Sequence, residues 1–234
     1  MYVLGIEAAT PVAGVAVAAD GCILAERLVN NRRTHSVNLL PMIKAVIEEA
    51  GISAGQIGAV AVSSGPGSFT GLRIGLTTAK TLAWLWQVPL VGVSTLEALA
   101  LPLASQAQII CPILNARKNE VYAAVFRGNA GQPELLAGPL ALGIEELVQL
   151  LQQWEGPVTF LGDAVPEYRQ QLETCLGRRA VMAPRCAMLP RGGALAELGW
   201  RKMMSGGGVP PLQLAPEYIR LSEAEVKLAA KGGK

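Results

Sequence analysis

The chain has 234 residues, a formal net charge of +2, 51% hydrophobic residues and only 16% charged ones, against about 25% charged in an average soluble domain. That composition excludes a disordered chain, and the near-neutral charge excludes one that binds nucleic acid strongly through electrostatics alone. No basic segment precedes the first apolar run and Glu7 interrupts it, while the charge-free stretch 50–72 is broken by Gly, Ser and Pro, so neither a secretion signal nor a membrane-spanning helix is expected and the expected location is cytoplasmic.

Read in chain order, residues 2–7 form a buried strand and residues 13–18 a second. Asp20-Gly21 makes a hairpin turn into a third strand at 22–29. Leu39, Leu40, Ile43, Val46 and Ile47 recur at helical spacing and predict a helix over 38–50, with Asn38 as N-cap and Pro41 in the first turn. A short strand at 57–62, a long helix at 69–86 capped by Ser68, and a strand at 90–93 complete the first half. The second half repeats this order: strands at 109–114, 121–127 and 134–137, a helix at 143–153, a strand at 158–161, a helix at 165–176, a strand near 179–183 and a helix at 191–204. A linker follows at 205–211, and Ser222 to Lys231 reads as a terminal helix. Two copies of βββαβα predict an α/β chain of duplicated ribonuclease-H-like fold, the plan of sugar kinases, actin and chaperone ATPases. The expected subdomains are 1–103, joined by a C-terminal helix at 218–234, and 104–217.

The chemistry-bearing residues are few. His35 is the single histidine, and Cys22, Cys111, Cys175 and Cys186 show no C-x-x-C spacing, so no zinc pattern is present and reduced thiols are expected. Of eighteen carboxylates only Asp20 and Asp163 are aspartate. The segment from Ser63 to Gly75 runs Gly-rich from strand into helix, where free amides suit an anion. It lacks the Gly-Lys-Ser/Thr ending of a P-loop, and a tight strand-to-helix turn explains it more simply. On the 69–86 helix, Arg73, Thr77, Lys80 and Trp84 share one stripe and Gly71, Gly75 and Ala79 lie roughly opposite. The smooth face is covered by the chain's own sheet, by the 38–50 helix or by a second chain. Glu7 ends the first strand where fold relatives place a catalytic acid, and the matching place in the second half is Asn115, which cannot ionise. An active ATPase is therefore not expected. Arg178, Arg179, Arg185, Arg191, Arg201 and Lys202 read as a solvated face, or as an auxiliary contact to a polyanion such as tRNA.

The segment SSGPGSFTGLRIGLTTAKTLAW closely resembles the signature of the TsaB (YeaZ) family. LGIEAAT, THSVNLLPMI, VPLVGVSTLEALA, NARKNEVYAAVF, LGDAVPEY and APEYIRL agree in order. The resemblance implies a non-catalytic subunit of bacterial tRNA threonylcarbamoyladenosine synthesis, related to the catalytic subunit TsaD but lacking its metal-binding histidine pair, since Leu39 stands where the second histidine would follow His35. The chain departs from its own family's pattern at Glu7 and Asn115, both usually aspartate. By the same resemblance the partners are TsaD and TsaE, with a homodimer when the chain is isolated and tRNA reached only through the complex. ATP, ADP and metal are expected on the partner subunits and no cofactor on this chain. The implied pairing surface uses the 38–50 and 69–86 helices, and the residues expected to line it are Leu39, Leu40, Ile43, Gly71, Leu72, Gly75, Ala79 and Leu82. Gly75→Leu should then weaken association; if Gly75 faces the chain's own sheet, it should unfold the chain instead. The rival reading is an enzyme of the same fold, an ATP-dependent small-molecule kinase or a peptidase.

Overall fold

Three N-terminal apolar segments build an antiparallel meander of β1 (Tyr2–Glu7), β2 (Ala13–Ala19) and β3 (Cys22–Val29). The computed structural model describes residues 1–31, 34–105 and 109–220. At the β2–β3 turn Asp20 and Gly21 both have positive φ, 50° and 82°, the mirror-image turn that an Asp-Gly pair favours. After α1 (His35–Glu49), strand β4 (Ile57–Gly65) pairs parallel with β1; after α2 (Phe69–Trp86), strand β5 (Leu90–Ser94) pairs parallel with β4. The sheet order is β3-β2-β1-β4-β5. One face is covered by α1 and α2, whose Leu39, Ile43, Val46, Leu76, Ala79 and Ala83 pack on Leu4, Ile6, Val60 and Val62.

A short helix α3 (Thr95–Ala100) leads into the second half: β6 (Ile109–Arg117), β7 (Glu120–Asn129), β8 (Gln132–Gly143), α4 (Ile144–Leu151), β9 (Val158–Leu161), α5 (Val165–Leu176) and β10 (Ala180–Met182). Its sheet, β10-β9-β6-β7-β8, has the same connectivity as the first, so the duplicated βββαβα plan is present. Phe160 and Leu147 centre the core beneath α4 and α5. The other face meets α3, with Leu96, Leu99 and Ala100 packed among Ile110, Leu114, Ala124, Phe126 and Leu161.

The structure redraws several boundaries. Helix α1 starts at His35 after Thr34, not after Asn38, so Pro41 lies inside it. The proline leaves the Val37 carbonyl without its helical donor, at a face where both residues are exposed to water. The six-residue α3 is too short to show a sequence period, and Ser94 Oγ caps it by accepting from Glu97 N at 3.4 Å. Strand β8 runs well beyond the expected 134–137. The 205–211 linker carries an antiparallel bridge from Val209 to Leu90 on the edge of the first sheet. Helix α6 (Gly192–Met204) falls within 104–217, yet it covers the second face of the first sheet, where Leu195 and Leu198 meet Val3, Ala59, Ala61 and Val91. A Cβ on Gly5 would sit 2.2 Å from the Gly192 carbonyl oxygen, so a side chain there would block the helix from its seat. The division at 103/104 thus does not separate two self-contained cores. The predicted terminal helix lies outside the described residues except for 218–220, which are not helical.

Candidate functional site

Two regions could carry function: the loops at the C-terminal ends of β1, β4 and β6, and the outward faces of α1 and α2. Parallel pairing of β1 with β4 brings the 8–12 loop and the Gly-rich loop together. Ser68 N donates to Ala9 O at 2.6 Å, and Ser68 Oγ caps α2 by accepting from Gly71 N at 3.3 Å. Two amides that a bound anion would need are therefore engaged. Glu7 is fully buried: Oε1 accepts from Ala9 N at 2.7 Å and Oε2 has no partner. Burial pushes its carboxyl up to about 7, against the lowering effect of the Ala9 N–H. Glu7, 0% exposed, holds the turn after β1 through Ala9 N, the arrangement of a structural carboxyl group.

At the end of β6 in the second half, Asn115 is fully engaged. Its N–H donates to Asp163 Oδ1 at 2.9 Å, its Nδ2 to Glu167 Oε2 at 2.8 Å, and its Oδ1 accepts from Arg117 N at 2.9 Å. The backbone N–H that meets Asp163 is common to any residue but proline, whereas the side chain faces Glu167 and there calls for a donor, which an ionised aspartate could not supply. His35 Nε2 donates to Thr10 O at 2.8 Å, its Nδ1 being buried without a partner, so the histidine ties α1 to the β1–β2 loop. Among the described residues no three His, Cys, Asp or Glu side chains converge as a metal site would require. No described helix is long and apolar enough to cross a membrane.

The smooth face of α2 turns inward. A Cβ on Gly71 would lie 2.1 Å from Ala8 O, and one on Gly75 would lie 2.9 Å from Ala8 Cβ. These glycines seat the helix on the chain's own β1–β2 loop. Leu39, Ile43 and Ala79 are at most 4% exposed within the core beneath α1 and α2, where they grip the sheet, and Leu72 is 1% exposed. Leu82 packs half-buried on that core. Of the eight residues expected at the pairing surface only Leu40, 58% exposed, faces outward. The outward faces present Val37, Leu40 and Lys44 on α1, and Arg73, Thr77, Trp84 and Leu85 on α2. The stripe Arg73, Thr77, Lys80, Trp84 was the signal for this: on a helix apolar nearly all round, the polar stripe marks the water side.

The basic cluster is largely structural. Arg179 donates to the carbonyls of Leu151, Trp154 and Gly156 beyond the end of α4. Arg191 pairs with Glu26, Arg201 with Glu197, and Lys202 with Glu97. Arg178 and Arg185 remain exposed.

Residues 22–228 match the TsaD family model, described as tRNA N6-adenosine threonylcarbamoyltransferase. The tRNA threonylcarbamoyladenosine biosynthesis protein TsaB of Bacillus subtilis is 31% identical over 97% of both chains. The chain belongs to the TsaB (YeaZ) family. The TsaB protein of Escherichia coli is 36% identical over 99% of this chain and 100% of its own. The solved YeaZ of Pseudomonas aeruginosa superposes with a TM-score of 0.80 at 25% identity, covering 93% of this chain and 99% of that one. Component A of (R)-2-hydroxyglutaryl-CoA dehydratase from Acidaminococcus fermentans, at a TM-score of 0.53 and 14% identity over 87% of this chain and 99% of its own, shares the fold.

Proposed function

We propose that this TsaB-family chain acts in the biosynthesis of threonylcarbamoyladenosine in tRNA as a non-catalytic subunit, by docking TsaD through the outward faces of α1 and α2, with TsaE joining the complex. The observation that carries the reading is full-length similarity to TsaB proteins combined with the use made of Glu7 and Asn115. Both stand where the fold would place acids for chemistry, and both are engaged in holding loops. Nucleotide and metal belong to the partner subunits in this reading, tRNA is met through the complex, and the isolated chain pairs with a second copy across the same helices. The site of action is the cytoplasm.

The apolar area for docking comes from Val37, Leu40, Trp84 and Leu85, all more than half exposed. Such side chains become anchors when a partner covers them. The test is co-purification with TsaD of the same organism, followed by nucleoside analysis of tRNA from cells lacking the chain. Loss of the modified nucleoside, restored by the wild-type chain, supports the reading. Normal modification in the deleted strain overturns it. A kinase of this fold would instead be stabilised against heat by ATP and magnesium in the absence of any partner.

A further inference from the structure

Beyond the linker the chain passes from contacts with the first half to contacts with the second. Leu214 packs against the first core and over Gly92, and Glu217 N donates to Ser64 O at 2.7 Å. The Tyr218 ring lies 4.9 Å from that of Phe69, and its Oη accepts from Arg73 Nε at 3.2 Å, while the Arg73 guanidinium sits 3.9 Å above Phe69. Two residues later the contacts change halves: Arg220 pairs with Glu120 at 2.8 Å and donates to Ala116 O at 3.4 Å. Those contacts bracket the β6–β7 turn, where Arg117, Lys118 and Asn119 all have positive φ (65°, 54° and 62°). Three consecutive side-chain-bearing residues in the left-handed region are held only where surrounding contacts over-determine them. Asn115, bonded to Asp163 and Glu167, holds one side of this turn, and Arg220 holds the other.

We propose that Leu214–Arg220 is a latch that couples the first turns of α2 to the β6–β7 turn of the second half, so that loosening either end loosens the other. Arg73 lies on the exposed face of α2, which puts the latch within reach of anything that seats on that face. A ligand or protein that draws Arg73 away from Tyr218 frees the second-half turn without touching it. The coupling is a property of the isolated chain and stands apart from the identity of any partner.

Amide hydrogen exchange of the full chain, resolved by peptide, tests it. Arg220→Ala, whose described contacts lie in the second half, should speed exchange across 66–73 by about threefold or more. Tyr218→Ala, which alters contacts only in the first half, should do the same across 115–121, the scale expected when a pair of modest surface interactions is lost. The charge exchange Glu120→Arg with Arg220→Glu should restore protection at both ends. Acceleration confined to the half that each residue touches overturns the latch, as does an exchanged pair that stays as fast as Arg220→Ala. Circular dichroism checks that each variant is folded. Should Arg220→Ala fail to fold, Arg220→Lys, which keeps the charge but loses the fork that reaches both Glu120 and Ala116, should give the same pattern at smaller amplitude.

Discussion

A carboxyl group sealed at the end of β1 with one oxygen unpartnered favours its neutral form, because burial removes the water that would stabilise the charge. Unfolded, Glu7 titrates near 4.5; folded, it titrates near 7. Below pH 4.5 both states hold the proton and the residue does not bias folding. Between 4.5 and 7 the unfolded chain releases its proton first, so the folded chain binds more protons and stability falls as pH rises. Above 7 the cost is complete, at about 3 kcal/mol. Glu7→Gln keeps an acceptor for Ala9 N and cannot ionise. Urea unfolding should therefore find the variant level with wild type near pH 4 and more stable by up to about 3 kcal/mol at pH 8. A difference independent of pH would mean that Glu7 titrates in the fold as it does in the unfolded chain. Gly75 supports a second prediction at this scale. With a Cβ already 2.9 Å from Ala8 Cβ, Gly75→Leu drives α2 off its seat and should cost at least the 1–3 kcal/mol typical of overpacking, roughly, and more for so large a side chain. Circular dichroism and thermal melting should register this as loss of the folded chain, ahead of any change in association.

At the scale of elements, α1 and α2 each divide into a gripping face and a free one. Leu40→Glu on α1 and Trp84→Glu on α2 change side chains that are 58% and 66% exposed, so the melting temperature should barely move. Binding to TsaD, read by co-purification or titration, should fall by about 2 kcal/mol for a true anchor, roughly thirtyfold. Unchanged binding in both variants would remove these faces from the docking surface. Much at this scale was legible beforehand. The Asp-Gly hairpin, the Ser68 cap and the helix over 69–86 follow from local chemistry that tertiary packing did not override. The inward side of α2 was not legible, because its contact is the Ala8–Ala9 turn, which the fold delivers from a segment sixty residues away. Small residues at four-residue spacing announce a close approach without saying to what. The start of α1 differs from the sequence expectation because Pro41 argues for a first-turn position, while water at an exposed face tolerates it further in. Helix α3 is not legible in the sequence, because six residues are too few to display a period.

For the molecule as a whole, two sheets of identical connectivity were readable from repeated element order, but the ownership of the helices was not. Helix α6 follows β10 in sequence and lies on β1, β2 and β4 in space. A prediction follows for the fragment 1–103. It contains every strand of the first sheet and lacks the helix that covers Val3, Ala59, Ala61, Val91 and Val93. Expressed alone it should be insoluble or bind hydrophobic dyes, and a second fragment supplying α6 should reduce that binding. A monomeric, cooperatively melting 1–103 would contradict this.

The same placement of α6 sets a schedule for synthesis. A nascent chain grows from its N-terminus at about 5–20 residues per second. The first sheet can pair its strands once β5 has emerged, but its second face stays bare until Gly192–Met204 arrives, roughly 5–20 s later at that pace. For that interval the ribosome carries a finished sheet with one apolar side open to water. Folding of the N-terminal half is thus governed by the rate at which the rest of the message is read. Codons that slow the ribosome between residues 104 and 191 should lower soluble yield without altering a single amino acid, an effect that supplying a holdase chaperone should reverse.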